Sequence, residues 1–158
     1  MADGSSQWIT GDAARAHVHV ERAKCDAILV GGETLRMDRP RLDVRLHGLE
    51  QRSPARWVLT RGAAPEGWGA LPSPEAISAI EGVQYLYLEG GAGAASAFLA
   101  ADLVDRLAIY RAPLLIGRGR PALGDIGLAS LGDAHGRWEL ADRRQLGSDG
   151  LEVYERRR

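Results

Sequence analysis

A single α/β domain built on a mostly parallel sheet is what this sequence predicts, and three observations carry that expectation. The apolar run Ala27-Ile28-Leu29-Val30 stops at Gly31-Gly32, as a strand buried on both faces of a parallel sheet does. The pattern returns later, where Gln84-Tyr85-Leu86-Tyr87-Leu88 runs into Glu89-Gly90-Gly91-Ala92-Gly93 and then into an alanine-rich stretch. Finally, 158 residues with 45% hydrophobic content suit one core, so residues 1–158 are read as one domain.

Thr10 or Asp12 is expected to cap a first helix that runs through Lys24, with Ala13, Ala14, Ala16 and Ala23 as helix formers. On it Arg15, His19 and Arg22 share one face, opposite Val18 and Cys25. The buried strand Ala27 to Val30 follows. Five prolines punctuate the next third, where Trp57 to Thr60 is the expected strand and 61–73 a loop. Pro74 to Ile80 reads as a short helix, Gln84 to Leu88 as a strand, and the segment after Gly93 as a helix ending near Asp102. Leu107 to Tyr110 is a further strand, and the Gly-rich stretch 117–136 has no assigned structure. Arg137 to Leu140 and Leu151 to Tyr154, joined by the turn residues Gly147-Ser148-Asp149-Gly150, form a closing antiparallel hairpin.

Composition narrows the function. Net charge is −1 with mixed signs, which gives no reason to expect a nucleic-acid or membrane partner. Lys24 is the only lysine, so arginine carries nearly all the positive charge, and its planar fork suits phosphate. Cys25 stands alone, which excludes an internal disulfide and fits a reducing cytoplasm. His17, His19, His47 and His135 show no metal-ligand spacing. No Gly-x-Ser-x-Gly and no Gly-Lys-Ser/Thr occurs, so serine-hydrolase and P-loop chemistry fall away.

What remains is a ligand crevice at strand ends. Glycines between a strand and a helix let backbone approach a ligand and aim amides and the positive helix end at an anion. Gly91-Ala92-Gly93-Ala94-Ala95-Ser96 has the spacing of a dinucleotide fingerprint with Ser96 at the third glycine; the same residues also serve a plain turn. Glu89 is placed to accept hydrogen bonds from a ligand's amide, or to favour the helix dipole. Arg22, Arg41 and Arg45 converge on a phosphate if the first helix packs beside the segment after Pro40. Trp8 is either a core anchor or a stacking surface.

Ser6-Gln7-Trp8-Ile9-Thr10-Gly11, Ala14-Arg15, Arg22-Ala23, Asp26 to Gly31, Thr34, Asp38, Pro40, Leu42, Val44-Arg45, Glu89-Gly90-Gly91, Phe98-Leu99, Leu103-Val104-Asp105 and Ala112 to Gly117 together resemble the reductase domain of the bacterial bifunctional riboflavin-biosynthesis deaminase-reductase. The resemblance implies a dihydrofolate-reductase-like fold, a homodimer, and NADPH-dependent reduction of 5-amino-6-(5-phosphoribosylamino)uracil to its ribitylamino form. Carried over by position, Ser6, Arg22, Leu42, Arg45 and Glu89 are substrate-binding. Trp8, Thr34, Asp38 and the run Gly91, Ala92, Gly93, Ala94, Ala95, Ser96 and Ala97 are NADPH-binding. No catalytic proton donor and no metal is assigned.

The chain departs from the family pattern at Arg39, where a second acid is usual, and at Thr60-Arg61, where an acid followed by a small residue is usual. Before Ser5 it has no strand with a Ser-Leu-Asp-Gly turn, so the expected sheet lacks the family's first strand; no deaminase signature occurs either. Two alternatives stand beside the reductase: a ligand-binding or dimerisation module of the same fold without catalysis, and a reductase for another heterocycle such as a pterin. Arg22 and Arg45 speak against the last, since it would leave them without a phosphate.

Overall fold

The computed structural model describes residues 9–117 and 119–158. Helix α1 spans Asp12–Ala23, strand β1 Ala27–Gly31, α2 Gly32–Asp38, β2 Ala55–Leu59, β3 Gly69–Leu71, β4 Leu86–Leu88, α3 Ala92–Ala100, β5 Arg106–Arg111, β6 Trp138–Leu146 and β7 Asp149–Arg156. Short 3-10 turns lie at Glu50–Arg52, Pro74–Ala79 and Leu131–Ala134.

The strands form two sheets, a parallel one in the order β3-β2-β1-β4 and an antiparallel one in the order β5-β7-β6. β1 is central in the first, with Ala27, Ile28, Leu29 and Val30 at most 1% exposed, as its unbroken apolar run predicts. Alternation sends Ile28 and Val30 to one face, with Leu42, Leu35 of α2 and Tyr87. Leu29 goes to the other, with Leu71, Phe98 of α3 and Ile77. α2 and α3 therefore cover opposite faces. Among the described residues β4 pairs only with β1, and β5 only with β7, so each is an edge strand.

The hairpin and the parallel sheet are joined by side chains. Asp102, just past α3, accepts from Arg156 Nε at 2.7 Å and from Arg137 at 3.3 Å. These guanidinium groups, Arg156 first, hold its carboxyl below the usual carboxylate range. On the other side Tyr110 of β5 meets His17 of α1, oxygen to Nδ1, at 2.8 Å.

Several expected elements change shape. Gly11, not Thr10 or Asp12, is the N-cap of α1, and no side-chain cap is made there. The Gly11 amide donates instead to Asp149 Oδ2 at 2.7 Å, from the buried start of β7. The expected loop 61–73 contains β3, which exists by pairing with β2: Gly69 lies opposite Trp57, where any side chain would enter the Trp57 ring. The hairpin arms are longer than read, with an irregular register between Leu140 and Asp142.

Candidate functional site

The order of the parallel strands marks where a ligand belongs. From β1 the chain moves outward to β2 and β3, then returns to β4 on the other flank of β1. Crevices outside the C-terminal ends of strands at such a switch are the usual ligand sites of open α/β sheets. Here those ends are Gly31-Gly32 after β1 and Glu89-Gly90-Gly91 after β4, tied by the Glu89 amide donating to Leu29 O at 2.9 Å.

Two helices begin at this point, and their glycines let them meet. A methyl on Gly31 would lie 3.3 Å from Cβ of Ala94 in the first turn of α3, and one on Gly91 would lie 2.7 Å from Thr34 Oγ1 in the first turn of α2. Gly90 and Gly91 also have φ of +91° and +79°, a region that side chains disfavour. α3 has Gly91 as N-cap with no side-chain cap, so its first-turn amides are left for a ligand. Thr34 and Gly91, both expected to bind NADPH, are thus brought together. Within that run Gly91 and Gly93 are exposed, Ala92, Ala95 and Ala97 half-buried, and Ala94 and Ser96 buried. Ser96 faces inward, its Oγ accepting the Gly124 amide at 2.7 Å. Asp38, at the far end of α2, is exposed.

Opposite the glycines lies a cluster built around Arg22. It is 7% exposed. Its Nε and Nη2 donate to the two oxygens of Glu89 at 2.7 and 2.6 Å, and Nη1 donates to the carbonyl of Asp43 at 2.8 Å. The segment after Pro40 reaches α1 as the arginine pattern requires. Leu42 is a core residue, 2% exposed, and its φ of +55° turns the chain toward Asp43. Val44 N is held by Ser53 Oγ at 2.9 Å, and Arg45 N donates to His19 Nδ1 at 3.3 Å. Burial first, then the cations of Arg22 and Arg45, keep the His19 pKa below its ordinary value, which suits that acceptor role.

Arg41 and Arg45 converge as anticipated, but on Asp43: Arg41 Nη2 is 2.8 Å from Oδ2 and Arg45 Nε 3.5 Å from Oδ1. Oδ1 is buried without a hydrogen bond among the described residues. Asp43 is the site residue that sequence reading missed, although it sits between the buried Leu42 and Val44 and is flanked beyond them by the exposed Arg41 and Arg45. Ser6 and Trp8 lie outside the described residues. Arg15, grouped with His19 and Arg22, turns back instead to Asp12 and the carbonyl of Thr10. A cleft of about 770 Å³ opens beside the segment after Pro40, lined by Arg41, Leu42 and Asp43 and continuing past Ser53 to Arg56 and Trp57 of β2.

The sequence matches the family model described as RibD C-terminal domain over residues 1–66 and 76–151. The chain belongs to that family. It is 35% identical to the riboflavin biosynthesis protein RibD of Mycobacterium tuberculosis strain H37Rv, covering 95% of this chain and 48% of that protein. Identity to the protein of the same name from Corynebacterium ammoniagenes is 40%, over 75% of this chain and 40% of that protein. Among solved structures, Acinetobacter baumannii RibD superposes with a TM-score of 0.79 at 27% identity, covering 100% of this chain and 54% of that one. The chain thus spans about half the length of the curated relatives it matches. The fold is the α/β architecture of these domains.

Proposed function

We propose that this chain is an NADPH-dependent reductase of riboflavin biosynthesis that converts 5-amino-6-(5-phosphoribosylamino)uracil to its ribitylamino form. Similarity to the RibD relatives supports the reaction class. The single observation that carries it in this chain is the pairing of two half-sites at the switch point: the glycine-lined starts of α2 and α3 on one side, and Glu89 with the arginine segment on the other.

The donor set fits NADPH. Uncapped amides at the start of α3 suit its pyrophosphate, Gly93 leaves open space beside them, and Thr34 packs against Gly91 at the edge of the same cradle. Trp8, Asp38 and the remaining residues of 91–97 are assigned to this half by the family resemblance alone. The nicotinamide, when bound, supplies the hydride. The protein's own contribution is orientation. Glu89, held by Arg22, offers a carboxylate to the N–H groups of the pyrimidine, while Arg45 with Arg41 faces the ribose phosphate. Ser6 and Leu42 complete the substrate half, Leu42 as the packed base from which Asp43 to Arg45 project. The described residues include no helix long and apolar enough to cross a membrane, and a cytoplasmic homodimer is the expected setting. Leu114, Leu115 and Ile116, exposed by 54, 103 and 47%, provide an apolar surface for the dimer.

The test is direct: purified protein is mixed with NADPH and the phosphoribosylamino substrate, and loss of NADPH absorbance is followed. Substrate-dependent turnover is expected; none, at millimolar concentrations of both, refutes the reductase reading. The edges of β4 and β5, which have no partner strand among the described residues, favour a second reading, a ligand-binding or dimerising module. It predicts NADPH binding by fluorescence titration without turnover.

A further inference from the structure

Position within the family makes Arg22 a direct contact of the substrate, but its surroundings describe a different task. Three of its five N–H donors are engaged by protein, two on both oxygens of Glu89 and one on the backbone carbonyl of Asp43. Its charge is matched by the Glu89 carboxylate at 2.6 Å, and it is 7% exposed. Arg45 and Arg41, by contrast, keep side chains 52% and 78% exposed. These two, not Arg22, are the cations an incoming anion meets.

The two groups that Arg22 holds come from separate parts of the chain. Glu89 follows β4 at the switch point, and Asp43 belongs to the extended segment carrying Arg41 and Arg45. Neither is bonded to the other; both are bonded to one guanidinium near the end of a rigid helix. A bidentate pair fixes the plane of the carboxylate as well as its position, and the third bond fixes the backbone from which Arg45 projects.

We propose that Arg22 is a positioning residue, a clamp that fixes the separation and orientation of the Glu89 carboxylate relative to the Arg41–Arg45 segment. Its consequence for turnover rests on the reductase reading above. The clamp measures the substrate: a carboxylate for the heterocycle and a cationic segment for the phosphate are kept at one spacing. Ligands bearing a ring and a phosphate at another separation then engage only one end. Lysine cannot substitute, because a single ammonium cannot hold both carboxylate oxygens and a carbonyl in a planar fork.

Two measurements on the full chain test this. In hydrogen exchange, Arg22→Lys and Arg22→Gln are expected to speed exchange of the Val44, Arg45 and Glu89 amides at least tenfold while the amides of β7 stay as protected as in the parent. Unchanged protection at those three amides in both variants overturns the clamp. General acceleration in Arg22→Gln reports global destabilisation, and the milder Arg22→Lys then decides. In kinetics, Arg22→Gln and Glu89→Gln are each expected to lower kcat/KM for the phosphorylated substrate by roughly 10-fold to 100-fold, with KM for NADPH unmoved. The double variant should fall well short of the product of the two single effects, since both changes break the Arg22–Glu89 pair. Effects that multiply in full would make Arg22 and Glu89 independent and overturn the proposal. If the parent does not reduce the substrate, the reductase reading fails, and the exchange experiment still decides the clamp.

Discussion

Thr34 Oγ1 and Gly91 are in contact across the starts of two helices, so close that a methyl on Gly91 would lie 2.7 Å from that oxygen. Gly91→Ala therefore meets both a steric conflict and a φ of +79° that alanine disfavours, together about 1–3 kcal/mol. A lower melting temperature and weaker NADPH binding are expected. Thr34→Ala in the same chain should relieve the contact but not the backbone strain. Full recovery of both properties by Thr34→Ala would show that the positive φ is unimportant.

Asp43 pairs with both Arg41 and Arg45, so a phosphate must compete with a resident carboxylate. Asp43→Asn keeps the backbone carbonyl that Arg22 uses and removes the competitor. KM for the phosphorylated substrate should fall about two- to fivefold at low salt, in keeping with the modest strength of exposed ion pairs, and the gain should shrink as salt screens the arginines. A KM that stays level or rises at low salt contradicts this.

His17 gives the fold an acid-side sensitivity. Burial, the largest cause, holds its pKa below the ordinary 6.5, against the pull of Glu21. Burial also pushes the Tyr110 hydroxyl up to about 12, so Tyr110 stays protonated and shares a hydrogen bond with His17 Nδ1. A histidine depressed on folding favours the native state above its unfolded pKa, and that contribution is lost as pH falls below about 6.5 through the folded value. Chemical unfolding at pH values from about 7.5 down to 5 should show declining stability, with a shallower decline in His17→Gln. The decline should not vanish, since His19 is shifted the same way. Identical slopes in parent and variant would remove His17 from the account.

Asp149 is 1% exposed and receives the Gly11 amide. Asp149→Ala leaves that donor without a partner and should reduce unfolding free energy by about 1–3 kcal/mol. Asp149→Asn retains an acceptor oxygen and should keep most of the stability. Equal losses in urea titrations of the two variants would mean that charge, not the hydrogen bond, matters.

How much of this was legible depended on whether the signal was local. The run Ala27 to Val30 with its terminating glycines announced β1, and Glu89-Gly90-Gly91 announced the start of α3, because burial and turn chemistry act on adjacent residues. α2 escaped notice: it is seven residues long and opens on glycine, so propensity argues against it and packing of Leu35 supports it. β3 escaped for a like reason, having three residues and a partner strand to define it. In the site, Arg22, Arg45 and Glu89 became substrate-binding candidates through the family resemblance, not singly. That Glu89 would take the fork of Arg22, and Asp43 the charges of its neighbours, depends on how α1 lies against the segment after Pro40, which no single stretch encodes.

The bond between Gly11 and Asp149 joins residues 138 positions apart, and it sits at the start of the helix that carries Arg22. During synthesis α1 leaves the ribosome well before the carboxylate that seats its first turn. The Arg22 clamp therefore reaches its final setting only after the hairpin closes. A chain arrested before β7 retains every strand of the parallel sheet but lacks the carboxylate that seats the first turn of α1.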